Sequence, residues 1–432
     1  MRKSSLLIAA LLVFLAPSAL AQEIDTGDVS WVGMSAALVM LMTPAVGFFY
    51  SGLVRKKNMV SVLAQSLVIF AVVSIVWTLW GYSLAFAPSV GGFIGDLSFV
   101  GLSGVGFEPD MDYAGTIPAL LFFFFQLMFA TITPVLIIGA FVERINFKAL
   151  LVFCVLWSTL VYAPIAHWVW NPGGWLRGLG ALDFAGGTVV HAASGLSALA
   201  AAIVIGRRNG SGKSEKVDFK PGNVPMVILG AALLWFGWFG FNAGSALAAN
   251  GIAVSALVVT NIAAAAGAVS WMTVDWIRKG RPSAVGLAIG AVCGLVAITP
   301  ASGFVGVMPA IIIGLVAGIL SNLVANWRSV RTRVDDALDV FACHGVSGIW
   351  GALATGIFAS VAINPAGANG LLFGNFGLIW SQLVACAAVI SFAFCATFAI
   401  LKLMSLTMSL RVSMEEEEAG LDEAHHGESA YG

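Results

Sequence analysis

The sequence predicts an all-α polytopic membrane protein. Eleven transmembrane helices are expected, as two inverted five-helix repeats plus one extra helix, with the N-terminus outside and the C-terminus inside. Three observations predict this. Of 432 residues, 59% are hydrophobic and only 10% charged, with a mean hydropathy of +0.95, whereas a soluble surface takes about a quarter charged residues. Basic residues cluster in alternate loops between the apolar runs. One polar motif, His-x-x-Ser-Gly, occurs twice inside apolar runs, as "VVHAASGL" (Val189 to Leu196) and "FACHGVSGI" (Phe341 to Ile349). The surrounding medium is therefore membrane lipid, and a net charge of −1 argues against nucleic acid as a partner.

At the N-terminus, residues 1–21 read as a cleaved signal peptide. Arg2 and Lys3 form its positive end, Leu6 to Leu15 its apolar stretch, and Ala19-Leu20-Ala21 an A-x-A cleavage site. The mature chain then begins at Gln22 on the outer side, unless the segment is retained as an anchor.

Residues 22–404 form the helical domain. A spanning helix needs about 20 mostly apolar residues. Eleven runs qualify, near 31–53, 60–87, 117–142, 149–170, 184–205, 224–247, 252–274, 283–299, 304–327, 338–361 and 377–404, the eighth being short. With an outside start, eighteen Lys and Arg residues fall in inward loops or the tail and only Arg177 lies outside. That asymmetry satisfies the positive-inside rule, and an even number of spans would destroy it. The fifth run carries His191 and the tenth His344, running in opposite directions, which is the mark of an inverted repeat with its site near the midplane. The run boundaries place each histidine roughly 10 Å deep.

Spacing refines the two motifs. Ser194 and Gly195 share the face of His191, and Ser347 and Gly348 share that of His344, so two helices can cross closely there. Asp183 lies eight residues before His191 and Asp339 five before His344, which turns each carboxylate about 80° or 140° away from its histidine. Neither aspartate is expected to pair with its own histidine. The alternative to a functional pair is a helix–helix hydrogen bond that serves packing; ionisable groups inside a membrane usually mark a pathway.

The five cysteines (Cys154, Cys293, Cys343, Cys386, Cys395) fall in apolar runs and read as small buried hydrophobes, without a disulfide framework. Neither a metal site nor a cofactor is expected, and no enzymatic signature such as H-E-x-x-H or G-x-S-x-G is present. "GRRNGSGKS" (Gly206 to Ser214) imitates a phosphate-binding loop, but its spacing is one residue too long and no strand precedes it. The glycine ladders Gly286/Gly290/Gly294 and Gly314/Gly318 read as close helix packing.

Several longer stretches carry a resemblance. "GALDFAGGTVVH" (Gly180 to His191), "GWFGFNAGSA" (Gly237 to Ala246) and "VDDALDVFACHGVSGIWG" (Val334 to Gly351) closely resemble signatures of the ammonium transporter family (Amt/Mep/Rh). "FFYSGLVRKKN" (Phe48 to Asn58) and the tail "GLDEAHHGESAYG" (Gly420 to Gly432) resemble bacterial members, and the similarity runs from about residue 30 to the end. The resemblance implies a homotrimer in the bacterial inner membrane, with one substrate pore per subunit. It implies that Trp170 and Ser245 form an outer recruitment site for ammonium or methylammonium, that Phe129 and Phe241 stack beneath it, and that Asp183 is needed for transport without touching the substrate. His191 and His344 match the paired pore histidines, with Trp238 and Tyr162 more weakly matched as pore lining. The "WNPGG" loop departs from the pattern at Asn171 and Pro172, where many relatives carry glycine.

For these residues the sequence alone offers plainer readings as well. Trp170 could belong to an interfacial belt with Trp168 and Trp175, Ser245 could be packing, and Asp183 could cap the fifth helix. The chemistry of the recruited ion is consistent with the implied roles. An indole face holds a desolvated cation with up to about 2 kcal/mol. An amine-like pKa near 10 makes deprotonation at neutral pH cost only about 4 kcal/mol, less than burying the bare ion. Neutral ammonia is then the species expected to cross, and two neighbouring imidazoles could also relay the proton. Net ammonium uptake is electrogenic if the proton crosses and electroneutral if it does not.

Residues 405–432 begin with the acidic run Glu415 to Glu418 and read as a regulatory tail on the inner side. The resemblance implies that the tail folds on the inner face, where a PII-class nitrogen-signalling protein docks. Two rival readings belong to other classes: an ammonium sensor with little flux, and a channel for a neutral gas.

Overall fold

Aspartate, asparagine and serine side chains start most of the helices. They accept from the otherwise unsatisfied N–H groups of the first turn. Asp25 caps α1 (Thr26–Leu53), Asn146 caps α4 (Phe147–Gly178), and Asn223 caps α6 (Val224–Ala246). Asn250 caps α7 (Gly251–Lys279), Ser283 caps α8 (Ala284–Ile298), and Asn375 caps α11 (Phe376–Met404). The remaining long helices are α2 (Lys56–Phe86), α3 (Ala119–Ile138), α5 (Gly187–Ile205), α9 (Val307–Arg331) and α10 (Phe341–Phe358). The architecture comes from a computed structural model that describes residues 23–210 and 219–431. The expected signal peptide and part of the "GRRNGSGKS" stretch lie outside the described residues.

Among the described residues, ten helices are long and apolar enough to cross a membrane. The eighth run forms the shorter apolar α8, whose 15 residues end in a buried turn at Thr299–Ala301. The described residues are helical apart from loops, one isolated bridge between Ile145 and Arg411, and two small hairpins between α2 and α3, β1–β2 (Ser89–Val90, Ile94–Gly95) and β3–β4 (Pro109–Asp110, Ala114–Pro118). These hairpins cover the face opposite the C-terminal tail.

Small residues let the helices touch. α1 packs along α6, with Gly237 against Met42 and Gly240 against Leu38 and Ser35. The glycine ladders do the same for α7, α8 and α9: Gly290 meets Gly267, while Gly294 and Gly314 both meet Ala263. Four cysteines are buried hydrophobes as expected. Cys395 is instead exposed, because α11 is an outer helix that turns that face away from the bundle.

The fifth and tenth helices start later than the hydropathy runs suggest, at Gly187 and Phe341. His191 and His344 therefore sit in the first helical turns and not two turns in. The segments before them, Asp183–Gly186 and Asp336–Asp339, are irregular turns, the first mostly buried and the second half-buried apart from buried Asp336, tolerated because side chains satisfy backbone donors there. Each helix opens with a widened π turn, Gly187–Ala192 and Phe341–Val346. The correspondence extends to the backbone: Gly186 and Asp339, each five residues before a histidine, both have positive φ, 110° and 57°.

The crossing of α5 and α10 is reciprocal. A Cβ on Gly195 would lie 2.1 Å from the Gly345 nitrogen, and one on Gly348 would lie 2.8 Å from the Gly187 oxygen and 3.0 Å from the His191 Cβ. The small residues after each histidine thus make room for the other helix.

On the tail side, buried charges tie the loops together. Glu143 (1% exposed) accepts from Arg55, Asn58 and Arg208, and Arg208 also donates two parallel hydrogen bonds to the Asp335 carboxylate. Burial would raise both carboxyls, but the guanidiniums outweigh it and hold Glu143 and Asp335 below the usual carboxylate range. Fully buried Arg144 satisfies the carbonyls of Gly206, Ala140 and Asp335. The tail joins this network: Glu417 pairs with Arg411 and accepts from the Asn209 nitrogen, and Leu421 N donates to Asn58.

Two outcomes test this packing. Gly195→Val forces overlap with Gly345 and should lower stability by about 1–3 kcal/mol or block folding, measured by thermal unfolding in detergent. Gly178→Val, in open space, should change nothing. Glu143→Ala leaves Arg208 short of a partner in a buried network, and should cost about 3–5 kcal/mol in the same assay.

Candidate functional site

Two cavities stacked end to end run through the bundle. The outer one is a vestibule of about 200 Å³ on the hairpin face, lined by Trp170, Ser245, Phe129, Gln126, Arg177 and Asp112 among others. Below it lies a lumen of about 10 Å³, lined by His191, His344, Trp238, Phe241, Val46, Leu136 and other apolar side chains. That volume holds about one water-sized molecule.

Phe129 of α3 and Phe241 of α6 close the passage between the two. Their ring centroids are 4.4 Å apart at 43°, and both rings are buried. Trp170, at the end of the helical run of α4, stands edge-on to Phe129 with centroids 5.9 Å apart. Its indole Nε1 donates to the Asp183 carbonyl at 3.0 Å, which fixes the ring plane. The Ser245 hydroxyl donates to the Phe241 carbonyl at 2.8 Å and so keeps oxygen lone pairs for a donor arriving in the vestibule. Gln126 Oε1, buried and without a protein partner, is a second acceptor in the same cavity.

Within the lumen the two histidines meet. His191 Nδ1 and His344 Nδ1 are 3.3 Å apart, and both residues are buried. One nitrogen must donate and the other accept, so a single proton is shared between the rings. His191 stacks on Trp238 with centroids 5.3 Å apart, and the Trp238 indole is held by Thr299 at 2.9 Å. Phe241 packs beside Trp238, with centroids 5.4 Å apart, and its centroid lies 5.8 Å from that of His191. Phe49 and Tyr50 also line the lumen, and the Tyr50 hydroxyl donates to the Leu136 carbonyl.

Asp183 does not line either cavity. Its carboxylate accepts from the backbone nitrogens of Gly186, Gly187, Thr188 and Val189 and from the Thr188 hydroxyl, all at the start of α5. As expected from spacing, it does not pair with His191. Asp339 likewise turns away, to an ion pair with Arg328. The residue that corresponds to Asp183 is Asp336, eight residues before His344, which caps Val340 N at 3.0 Å and Phe341 N at 2.8 Å. Burial raises Asp336 to about 6, partly offset by Arg328.

The structure therefore brings together Trp170, Ser245, Phe129, Phe241, Trp238, His191 and His344, and places Asp183 behind them. Tyr162 does not line the pore: it is buried among Trp77 and Trp157, one layer away. Trp168 is no belt residue either; it is 8% exposed, packed on Phe392 and bonded to the Phe93 carbonyl. Asn171, the departure from glycine in the loop, is buried and ties Ala87 and Tyr113 of the hairpin segment beside Trp170. The spacing D-x7-H, present twice, carried the signal for Asp336. The single polar residue in "FFFFQLMF" carried that for Gln126.

Comparison with known proteins gives one answer. The family model described as Ammonium Transporter Family matches residues 30–431. An ammonium transporter of Bacillus subtilis is 50% identical over 405 residues, 94% of this chain and 98% of that protein. The crystal structure of Saccharomyces cerevisiae Mep2 superposes with a TM-score of 0.84 at 39% identity, covering 90% of this chain and 91% of that one. A structure titled "Sensor Amt Protein" superposes with a TM-score of 0.85 at 31% identity, over 93% of this chain and 98% of that one. The chain belongs to the ammonium transporter family.

Proposed function

We propose that this protein takes up ammonium by recruiting the cation in the vestibule, transferring its proton to the His191–His344 pair and conducting ammonia through the lumen that the pair lines. The observation that carries the reading is the pairing of a cation-compatible vestibule with a lumen lined by apolar side chains and two histidines, wide enough for about one water-sized molecule. In the vestibule the Trp170 indole face and the Ser245 and Gln126 oxygens replace the water that the ion sheds. In the lumen a bare cation would lose nearly all hydration, at tens of kcal/mol in a fully apolar medium. Deprotonation at neutral pH costs only about 4 kcal/mol, so the neutral molecule crosses.

The proton follows by a separate route. The shared Nδ1–H···Nδ1 bond lets a proton enter one ring as another leaves the second, without both rings being charged at once. Ammonia and proton recombine on the tail side, and one positive charge moves per ammonium. Transport is then electrogenic. Asp183 acts through position: it holds the Trp170 indole by its carbonyl and the His191 helix start by its carboxylate.

The membrane arrangement follows the basic residues. α8 and the turn after it complete an eleventh crossing of the bacterial inner membrane, with the N-terminus outside and the docked tail on the inner side. The apolar outer faces of α7 and α9 suit the subunit contacts of a homotrimer, and the tail face suits a PII-class partner. One structural neighbour is titled a sensor, and flux separates that alternative from a transporter; a neutral gas would need no Trp170 and Ser245 cation site.

Purified protein in liposomes should give an inward current on an ammonium jump together with saturable methylammonium uptake; absence of both would remove the transporter reading, and uptake without current would leave only the electroneutral form. His191→Ala and His344→Ala should each cut the ammonium current at least tenfold while thermal stability is retained. Trp170→Leu removes a cation–π contact of up to about 2 kcal/mol and should raise the half-saturating methylammonium concentration about tenfold.

A further inference from the structure

The vestibule carries two full charges that the recruitment of a cation does not itself require. Among the described residues, Arg177 and Asp112 are the ionised side chains that line it. Arg177 lies in the last turn of α4, Trp175–Gly178, beyond the break after Trp170, and its Nη1 donates to the Trp170 carbonyl at 2.5 Å. Asp112 lies in the turn between β3 and β4. Trp170 is the last residue of the run Ala163–Trp170, so the Arg177 bond is in part a C-terminal cap. A guanidinium is nevertheless charged at every working pH. It stands in the same small cavity as Trp170, Ser245 and Phe129, where a monovalent cation is to be held.

We propose that Arg177 and Asp112 form an opposed charge couple that sets the cation affinity of the vestibule. Arg177 raises the half-saturating ammonium concentration and Asp112 lowers it. This inference rests on the vestibule being the ammonium site. A cavity of about 200 Å³ is only several ångströms across, so a bound cation lies close to both charges. At that range, with a dielectric between that of water and half of it, one unit charge changes occupancy about three- to tenfold. Both side chains are exposed, so salt must screen the effect. The Debye length falls from about 30 Å at 0.01 M to about 3 Å at 1 M. A cap made by a hydrogen bond has no such salt dependence.

Arg177→Gln separates the two roles, because an amide keeps an N–H donor for the Trp170 carbonyl and loses the charge. Methylammonium uptake into proteoliposomes would be measured for wild type, Arg177→Gln and Asp112→Asn at about 0.01 M and about 1 M sodium chloride. At low salt the half-saturating concentration should fall about three- to tenfold in Arg177→Gln and rise by a similar factor in Asp112→Asn; at high salt both should come within about twofold of wild type. An Arg177→Gln protein that matches wild type at low salt, or differs from it equally at both salts, overturns the proposal. Wild-type uptake that never saturates would instead overturn the vestibule as the ammonium site.

Discussion

The structure depends on carboxylates that bind backbone N–H groups at two interrupted helices. A helix that begins inside a membrane protein exposes orphan donors where no water is available to satisfy them. Asp183 answers that need for α5 with five hydrogen bonds, and Asp336 answers it for α10 with two. Because each helix starts there, each histidine falls in a first turn, widened to π geometry, with Gly195 and Gly348 beside it to admit the partner helix. The 3.3 Å contact between His191 and His344 is the product of both caps and both glycines.

The same constraint links the pore to the surface on the tail side. Asp336 follows directly on Asp335, which Arg208 holds by two side-chain bonds and which Arg144 reaches through its carbonyl. Arg208 in turn is shared with Glu143, and through Asn58 and Leu421 the tail is seated on the same group. The ion pairs thus fix the tail-side helix start as the Asp183 cap fixes the other one. Glu143 is held with positive φ of 71°, a conformation that its three donors sustain.

Much of this was legible in the sequence because lipid simplifies the code. Apolar runs marked the helices, basic residues suggested their direction, and a polar pair in matching motifs marked the centre. Asp183 was correctly separated from His191 by rotation alone. What the sequence obscured were features that depend on the third dimension. Hydropathy cannot see a helix start when apolar residues continue on both sides, so the apolar runs begin near 184 and 338 while the helices begin at Gly187 and Phe341. Asp339 attracted attention as the nearer acid, although the capping role falls to Asp336 and Asp339 occupies the position of Gly186. The resemblance implies a pore-lining Tyr162 and the sequence suggests a belt residue at Trp168, yet both are buried against other side chains, because an aromatic in an apolar run carries no mark of which neighbour it meets.

The most direct measurement is the pairing of the imidazoles themselves. Histidine-selective ¹⁵N NMR of the protein in bilayers should show a scalar coupling between the two Nδ1 atoms across the shared hydrogen bond. In the double variant Asp183→Asn/Asp336→Asn, amide groups face the backbone donors that the carboxylates satisfied, the helix starts should relax, and the coupling should vanish together with the ammonium current. A coupling and current that both survive the loss of the two carboxylates would contradict the dependence of the twin-histidine site on its caps.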